Sequence, residues 1–114
     1  MRPFSTSSRY AERVLEGVDD DGAAERIVVW IERRPDGSWA VGRAVNPQQR
    51  PSGAPRPDDY VFEGYELDDA LERANEVLED DVQVLEDEGS ASRVRPFTRK
   101  EILPRLERHF FRGE

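Results

Sequence analysis

A chain of 114 residues has room for one domain, and its longest apolar run, residues 27–31, is too short to span a bilayer as a helix. It contains no cysteine, which excludes disulfides, thiolate chemistry and cysteine-based metal sites and favours a cytoplasmic location. The formal charge of −8 opposes general affinity for nucleic acid, whose phosphates are bound by concentrated lysine and arginine.

The first nine residues differ in composition from the rest of the chain. They are rich in serine and arginine, lack the apolar centre of a secretory signal, and contain Pro3. We expect residues 1–9 to form a flexible tail and residues 10–114 to form a single domain. Transit peptides share this composition, so a targeting role for the tail remains an alternative.

Three strand patterns follow, separated by two turns. We predict strands at 10–18, 25–34 and 39–45, because apolar and β-branched residues concentrate there and the sequences between them, Asp-Asp-Asp-Gly and Pro-Asp-Gly, are typical of turns. The second strand has apolar residues on both faces, which predicts either a central strand covered on both sides or a strand with one side kept for a partner. The third has large residues on one face and a row of small residues, Ala40, Gly42 and Ala44, on the other. Such a row lets a helix or another backbone approach closely.

Residues 46–57 contain four prolines and are predicted to form a loop. A fourth strand is predicted at 60–65, with Tyr60 and Phe62 on one face and Val61 and Tyr65 on the other.

The hydrophobic period then changes from two to about 3.6. A long helix is predicted over 67–89, with Gly89 able to close it, because apolar residues recur on one face at Leu67, Leu71, Ala74, Leu78, Val82 and Leu85. A capping box of Thr98 and Glu101 starts a second helix, which Pro104 is expected to kink or delay. The apolar positions of that helix are Ile102, Leu106 and Phe110.

These elements predict an α+β fold: an antiparallel meander of three to four strands packed by one long acidic helix, followed by a shorter C-terminal helix. The predicted core consists of Val29, Trp30, Ile31, Val41, Phe62, Leu71, Leu78 and Ile102.

Charge is strongly segregated along the chain. Residues 1–57 carry a net +1, residues 58–88 a net −13 and residues 89–114 a net +4. Three interpretations of the acidic segment remain open. It could be a solvated face that keeps the protein soluble, a partner for the arginines of the basic segment at 93, 95, 99, 105 and 108, or a docking surface for a basic protein.

The function predicted on this basis is a non-enzymatic protein–protein interaction or regulatory domain. Its partner would be a basic protein, and self-association as a homodimer is an alternative. The residues predicted to contact a partner are Glu72, Glu76, Glu79, Asp80, Trp30 and Trp39.

Motifs for catalysis or cofactor binding do not occur in the sequence. No glycine-rich phosphate loop is present, the acids around Gly22 fail the spacing of a calcium loop, and His109 is the only histidine. We therefore predict no catalytic residue, cofactor or metal. With twenty-five acids in the chain, an unrecognised carboxylate site remains an alternative.

Single-stranded nucleic acid remains a second alternative. The aromatic residues Trp30, Trp39, Tyr60, Phe62 and Tyr65 could stack on bases if they shared one sheet face. The arginines that could contact phosphates alongside them are Arg26, Arg33, Arg34 and Arg43.

Overall fold

The computed structural model describes residues 9–52, 54–89 and 94–104, and its architecture is α+β, as predicted. The four strands form one antiparallel sheet in the order β1-β2-β3-β4, so each strand pairs with its neighbour along the chain. The elements are β1 (Arg9–Val18), β2 (Ala24–Arg33), β3 (Trp39–Val45), β4 (Tyr60–Gly64), α1 (Leu67–Asp87) and α2 (99–104).

The first two hairpin turns have the geometry that their sequences predict. Gly22 and Gly37 have φ angles of 85° and 89°, which favour glycine over residues with a side chain. The Asp19 carboxylate accepts two backbone N–H groups at 2.9 Å. Asp36 accepts the backbone N–H and the hydroxyl of Ser38 at 2.9 and 2.7 Å. Each aspartate therefore fixes its own turn.

Both faces of β2 are buried, which confirms that it is a central strand. Ile27, Val29 and Ile31 face α1, and we call this side of the sheet the helix face. Val28 and Trp30 point to the opposite side, where they pack with Ala44 and Tyr60. We call that side the loop face, because the described residues of the 46–59 connection, 46–52 and 54–59, lie against it.

The predicted arrangement of side chains on β4 is wrong in one respect. Val41 pairs with Phe62, but the next residue, Gly42, pairs with Tyr60 instead of Val61, so β4 contains one extra residue. Such a bulge changes the alternation of side chains. Tyr60 consequently packs on the loop face beside Trp30, whereas Phe62 packs on the helix face.

Helix α1 covers the helix face through the apolar stripe that the sequence predicts. Ala70, Leu71, Ala74, Leu78 and Leu85 are all buried in this interface. The helix ends two residues before Gly89, whose φ angle of 87° terminates the helical path.

One carboxylate of α1 is buried in the same interface. Asp81 is 7% exposed and accepts two hydrogen bonds of 2.8 Å from the Arg43 guanidinium on β3. Asp81 therefore belongs neither to a solvated face nor to a docking surface, although it lies in the acidic segment. Asp81 lies between Leu78 and Leu85 on the buried side of the helix, where the sheet supplies its partner.

The basic segment after α1 completes the cover of the helix face. The Asn75 side chain exchanges two hydrogen bonds, of 3.0 and 2.8 Å, with the backbone of Phe97. From β1, Arg13 donates to the carbonyl of Arg95 at 2.7 Å and binds Glu101 at 2.7 and 2.8 Å. These contacts fix residues 94–101 between α1 and β1.

Helix α2 begins at the predicted position, but the Glu101 N–H donates to the Thr98 backbone carbonyl and not to the Thr98 hydroxyl that the predicted capping box would use. Residues 99–104 are helical directly after Thr98, and the hydrogen bond from Glu101 is 3.2 Å long. The predicted positions Leu106, His109 and Phe110 lie outside the described residues, as does the predicted tail up to residue 8. Within 9–52, 54–89 and 94–104, no helix is both long and apolar enough to cross a membrane.

The buried pair formed by Arg43 and Asp81 yields a stability prediction. We expect Asp81→Ala to lower the free energy of unfolding by about 2 kcal/mol, because it leaves a half-buried guanidinium without its hydrogen-bond acceptor. Urea denaturation measures the change. Asp80→Ala removes an exposed neighbour and should change stability by less than about 0.5 kcal/mol. Equal effects of the two substitutions would contradict an anchoring role for Asp81.

Candidate functional site

The four acids predicted to contact a partner all lie on the solvent side of α1. Glu72, Glu76, Glu79 and Asp80 are exposed, and each is one helical turn from at least one of the others. Together with the other exposed carboxylates of α1, they form what we call the acidic face. Its remaining members are Asp68, Asp69, Glu86 and Asp87.

Few cations approach the acidic face within the described residues. Arg73, the single base of α1, contacts Glu76 at 3.5 Å, and Arg99 contacts Asp68 at 3.1 Å. Both pairs are exposed and therefore contribute little to stability. In the described part of the chain, no ion pair involves Glu72, Glu79 or Asp80.

The idea that the basic segment neutralises this helix holds at one described position. Arg99 reaches Asp68 near the start of α1. Arg95 contributes its backbone carbonyl to Arg13 instead. Arg93, Arg105 and Arg108 fall outside the described residues.

The two tryptophans predicted to contact a partner are buried. Trp30 is 1% exposed and Trp39 is 3% exposed. Trp39 packs edge-on against Tyr10 at 5.4 Å between ring centroids, and Arg33 lies over it at 4.8 Å. Both indoles therefore belong to the packed interior of the observed conformation.

The aromatic residues considered for base stacking do not form one platform. Trp30 and Tyr60 lie on the loop face, Trp39 and Phe62 lie on the helix face, and Tyr65 is exposed beyond the end of β4. The bulge in β4 separates Tyr60 from Phe62, and the register between β2 and β3 places Trp30 and Trp39 on opposite faces.

Three of the arginines considered for contacts with phosphates form ion pairs with carboxylates of this chain instead. Arg43 binds Asp81, Arg26 binds Glu16 at 3.0 Å, and Arg34 binds Glu63 at 2.6 Å.

A polar network around Trp30 is the main feature that sequence reasoning missed. The Trp30 indole N–H and the Tyr60 hydroxyl both donate to one oxygen of Glu32, at 2.8 and 3.0 Å. Burial raises the pKa of Tyr60 to about 12, and the charge of Glu32 acts in the same direction. Arg34 lies 4.8 Å from the Tyr60 ring, and Arg9 lies 4.1 Å from the Trp30 ring. The two hydrogen bonds fix the Trp30 and Tyr60 rings relative to Glu32.

The row of small residues on β3 was the sequence signal for this network. It was expected to admit a helix or another backbone, but it admits the indole of Trp30 from the neighbouring strand. A Cβ atom added at Gly42 would overlap that ring. A large aromatic residue paired with glycine across two strands therefore indicates a ring lying on the sheet.

A buried ion pair joins the two ends of the 46–59 loop to each other. Arg50 binds Asp59 through two hydrogen bonds of 2.6 and 2.9 Å, and the backbone N–H of Arg56 donates to the same carboxylate at 2.8 Å. The Arg50 guanidinium is the main reason that the pKa of Asp59 lies below its ordinary value. The left-handed residue Asn46, with a φ angle of 52°, starts the loop and exchanges hydrogen bonds with Arg26 of β2.

Each described carboxylate whose pKa is displaced has a pKa below its ordinary value. Besides Asp59, these carboxylates are Asp36, which accepts hydrogen bonds from Ser38, and Glu101, which binds Arg13. Each shift favours the ionised form. The described residues also contain no group of three or more histidine, aspartate or glutamate side chains arranged to hold a metal ion, and each buried polar side-chain atom among them has a hydrogen-bond partner.

Comparisons of the chain with protein-family models, with curated proteins and with solved structures found no match. The function proposed below therefore rests on the geometry of this chain.

The contact between Gly42 and Trp30 can be tested by adding one methyl group. In an open strand, Gly→Ala stabilises by about 0.5–1 kcal/mol. We expect Gly42→Ala to destabilise the protein by about 1–3 kcal/mol, because the indole must move. The cost should fall when Gly42→Ala is combined with Trp30→Phe, whose ring is smaller. A Gly42→Ala variant more stable than the parent would contradict the contact.

The pair formed by Arg50 and Asp59 predicts a loss of stability in acid. Because the pKa of Asp59 in the folded chain is below its ordinary value of 3.8, the unfolded chain takes up the proton first as the pH falls. The stability that this pair contributes should be complete above pH 3.8 and be lost as the pH falls through the lower, folded pKa. Urea midpoints measured from about pH 5 to about pH 2 should fall less steeply for Asp59→Asn than for the parent. Asp58→Asn, at an exposed neighbour, should follow the parent, and a parent-like slope for Asp59→Asn would rule out this role.

Proposed function

We propose that this chain is a non-enzymatic protein-interaction domain whose acidic face on α1 docks a basic partner protein. The observation that carries the proposal is the row of exposed carboxylates at Glu72, Glu76, Glu79 and Asp80 on a helix fixed to the sheet by its opposite side. Preorganised charge of one sign accelerates and orients the encounter with a partner of the other sign.

The spacing of these carboxylates defines the partner's chemistry. Glu72 and Asp80 lie about 12 Å apart along the helix axis, with Glu76 midway. Arginine or lysine side chains repeated at one-turn intervals on a partner helix have the same spacing. A basic amphipathic helix is thus the partner surface that fits best.

The acidic face lowers the stability of the helix that carries it. Glu72 repels Glu76, and Glu76 repels Asp80, each by a few tenths of a kcal/mol. Glu86 and Asp87 oppose the helix dipole at the C-terminal end, where α1 has no basic residue. A basic partner would relieve this repulsion, so part of the binding free energy would come from strain in the free chain.

The proposal places the domain in the cytoplasm, an expectation that rests on the absence of cysteine. Val14 and Val18 of β1 are 40% and 48% exposed, and self-association through them is the alternative mode of interaction. Sedimentation distinguishes the two modes, because only self-association depends on the concentration of this chain alone.

Charge reversal on α1 tests the proposal. The probe is a labelled helical peptide with arginines at one-turn intervals, and its binding is followed by fluorescence anisotropy at about 50 mM and about 500 mM salt. We expect binding at low salt. The triple substitution Glu72→Lys, Glu76→Lys and Glu79→Lys should weaken it about tenfold or more, since three exposed ion pairs are lost. The same variant should unfold no more easily than the parent, because repulsion within α1 is relieved.

A matched control separates the acidic face from net charge. Asp20→Lys, Asp21→Lys and Asp58→Lys change the net charge by the same amount at exposed positions away from α1. This control should bind the peptide much more tightly than the α1 variant. An equal loss of peptide affinity in both variants, or no binding of the peptide by the parent at low salt, would refute the proposal.

A further inference from the structure

The guanidinium group of Arg9 lies against the indole of Trp30 in the geometry of a bound cation. Its central carbon is 4.1 Å from the ring centroid, and Nη1 donates to the Glu12 carboxylate at 2.9 Å. An aromatic face and a carboxylate are the two groups that recognise a guanidinium together. Trp30 is only 1% exposed, so its ring is covered in this arrangement.

A cavity adjoins the contact between Arg9 and Trp30. It has a volume of about 230 Å³ and lies between the start of β1 and the 46–59 loop. Pockets for drug-sized ligands are usually about 300–1,000 Å³, so this one suits a single side chain better than a larger molecule. We call it the Trp30 recess. The residues of its lining that bear on recognition are Arg9, Glu12, Trp30, Gln48, Arg50 and Asp59.

The recess is complementary to a cation once Arg9 is moved away. Arg50 and Asp59 neutralise each other through two hydrogen bonds. Glu12 then has no described partner for its side chain, because its ion pair is made with Arg9. The electron-rich face of Trp30 adds to the attraction. Arginine fits better than lysine, because its planar group stacks on an indole.

Arg9 is held loosely enough to be displaced. It is the first residue of β1 and lies beyond a register shift between positions 9 and 11, so it is separated from the regular ladder. Its ion pair with Glu12 joins side chains that are 28% and 45% exposed. Strand ends of this kind open at a small free-energy cost.

We infer that the Trp30 recess binds an arginine side chain of a partner protein and that Arg9, which lies over the Trp30 ring at the edge of the recess, is its internal competitor for the indole in the free chain. The recess lies on the loop face, whereas the acidic face is on α1 across the sheet. This inference therefore stands independently of the proposed function, and variants of either surface leave the other intact.

The test follows the full chain, labelled with ¹⁵N, by NMR. Trp30 and Trp39 each contribute one indole N–H signal. Trp39→Phe removes one signal and assigns the other. The chain is titrated with Nα-acetyl-arginine amide and, in parallel, with Nα-acetyl-lysine amide, which has the same charge. In Arg9→Ala, the arginine amide should shift the Trp30 signal saturably at about tenfold lower concentration than in the parent. This is the factor expected if Arg9 covers the Trp30 indole in about nine molecules of ten.

The controls distinguish a specific binding site for an arginine side chain from non-specific attraction of cations to this acidic protein. Glu12→Gln in the Arg9→Ala chain should weaken binding of the arginine amide, and the lysine amide should bind less tightly throughout. Equal half-saturation in the parent and Arg9→Ala, equal response to both amides, or no shift of the Trp30 signal would overturn the inference. If Arg9→Ala loses the dispersed spectrum of a folded chain, Arg9→Gln replaces it in the titration. Glutamine keeps a planar group without the positive charge, and the same results support or overturn the inference. The lysine reversals on α1 should leave the titration unchanged.

Discussion

The rest of the structure depends on one constraint, which is that β2 is apolar on both faces. A strand of this kind must be covered from two sides, and this chain uses different elements for each. On the helix face, α1 and the segment at 94–101 bury Val29 and Ile31. On the loop face, the 46–59 loop and Arg9 bury Val28 and Trp30. The interior is thus divided into a larger and a smaller cluster by the sheet itself.

The division of the interior also determines which charges reach solvent. On the helix face, Arg43 and Arg13 lie among apolar residues and need acids, which α1 and α2 supply as Asp81 and Glu101. The carboxylates on the other side of α1 have no such partner within the described residues, except at the contacts of Arg73 and Arg99. The same helix therefore bears one buried acid that stabilises the fold and a row of exposed acids that oppose one another. Packing of the leucine stripe, rather than helix propensity, must hold the exposed row in place.

Local sequence was sufficient to predict the elements of the fold. Concentrations of apolar residues predicted the strands, glycine and aspartate predicted the turns, and the helical spacing from Leu67 to Leu85 predicted α1, because each signal lies within a few residues. The acidic face was predicted for the same reason, since helix periodicity alone places Glu72 and Glu76 on one side. The burial of Trp30 was also expected from its position on a central strand.

What could not be predicted depends on contacts between distant segments. The extra residue at Val61 reverses the side of Tyr60, and no local pattern marks it. Arg9 over Trp30 is likewise a side-chain contact that exists only once the sheet is assembled, and the pairing of Arg50 with Asp59 depends on the path of the loop between them. Asp81 looked like one more acid of the helix, although its place in the apolar stripe indicated burial. The Trp30 recess was missed because its parts come from three separate stretches of the chain.

The salt dependence of stability tests most directly whether the carboxylates of the acidic face repel one another without neutralising partners. The free energy of unfolding would be measured by urea denaturation as NaCl is raised from about 0.01 M to about 0.5 M, which shortens the screening length from about 30 Å to a few ångströms. If the carboxylates of α1 mainly repel one another, added salt should stabilise the chain. A free energy of unfolding that falls as salt is added would mean that these acids are held by internal ion pairs, and it would contradict the account.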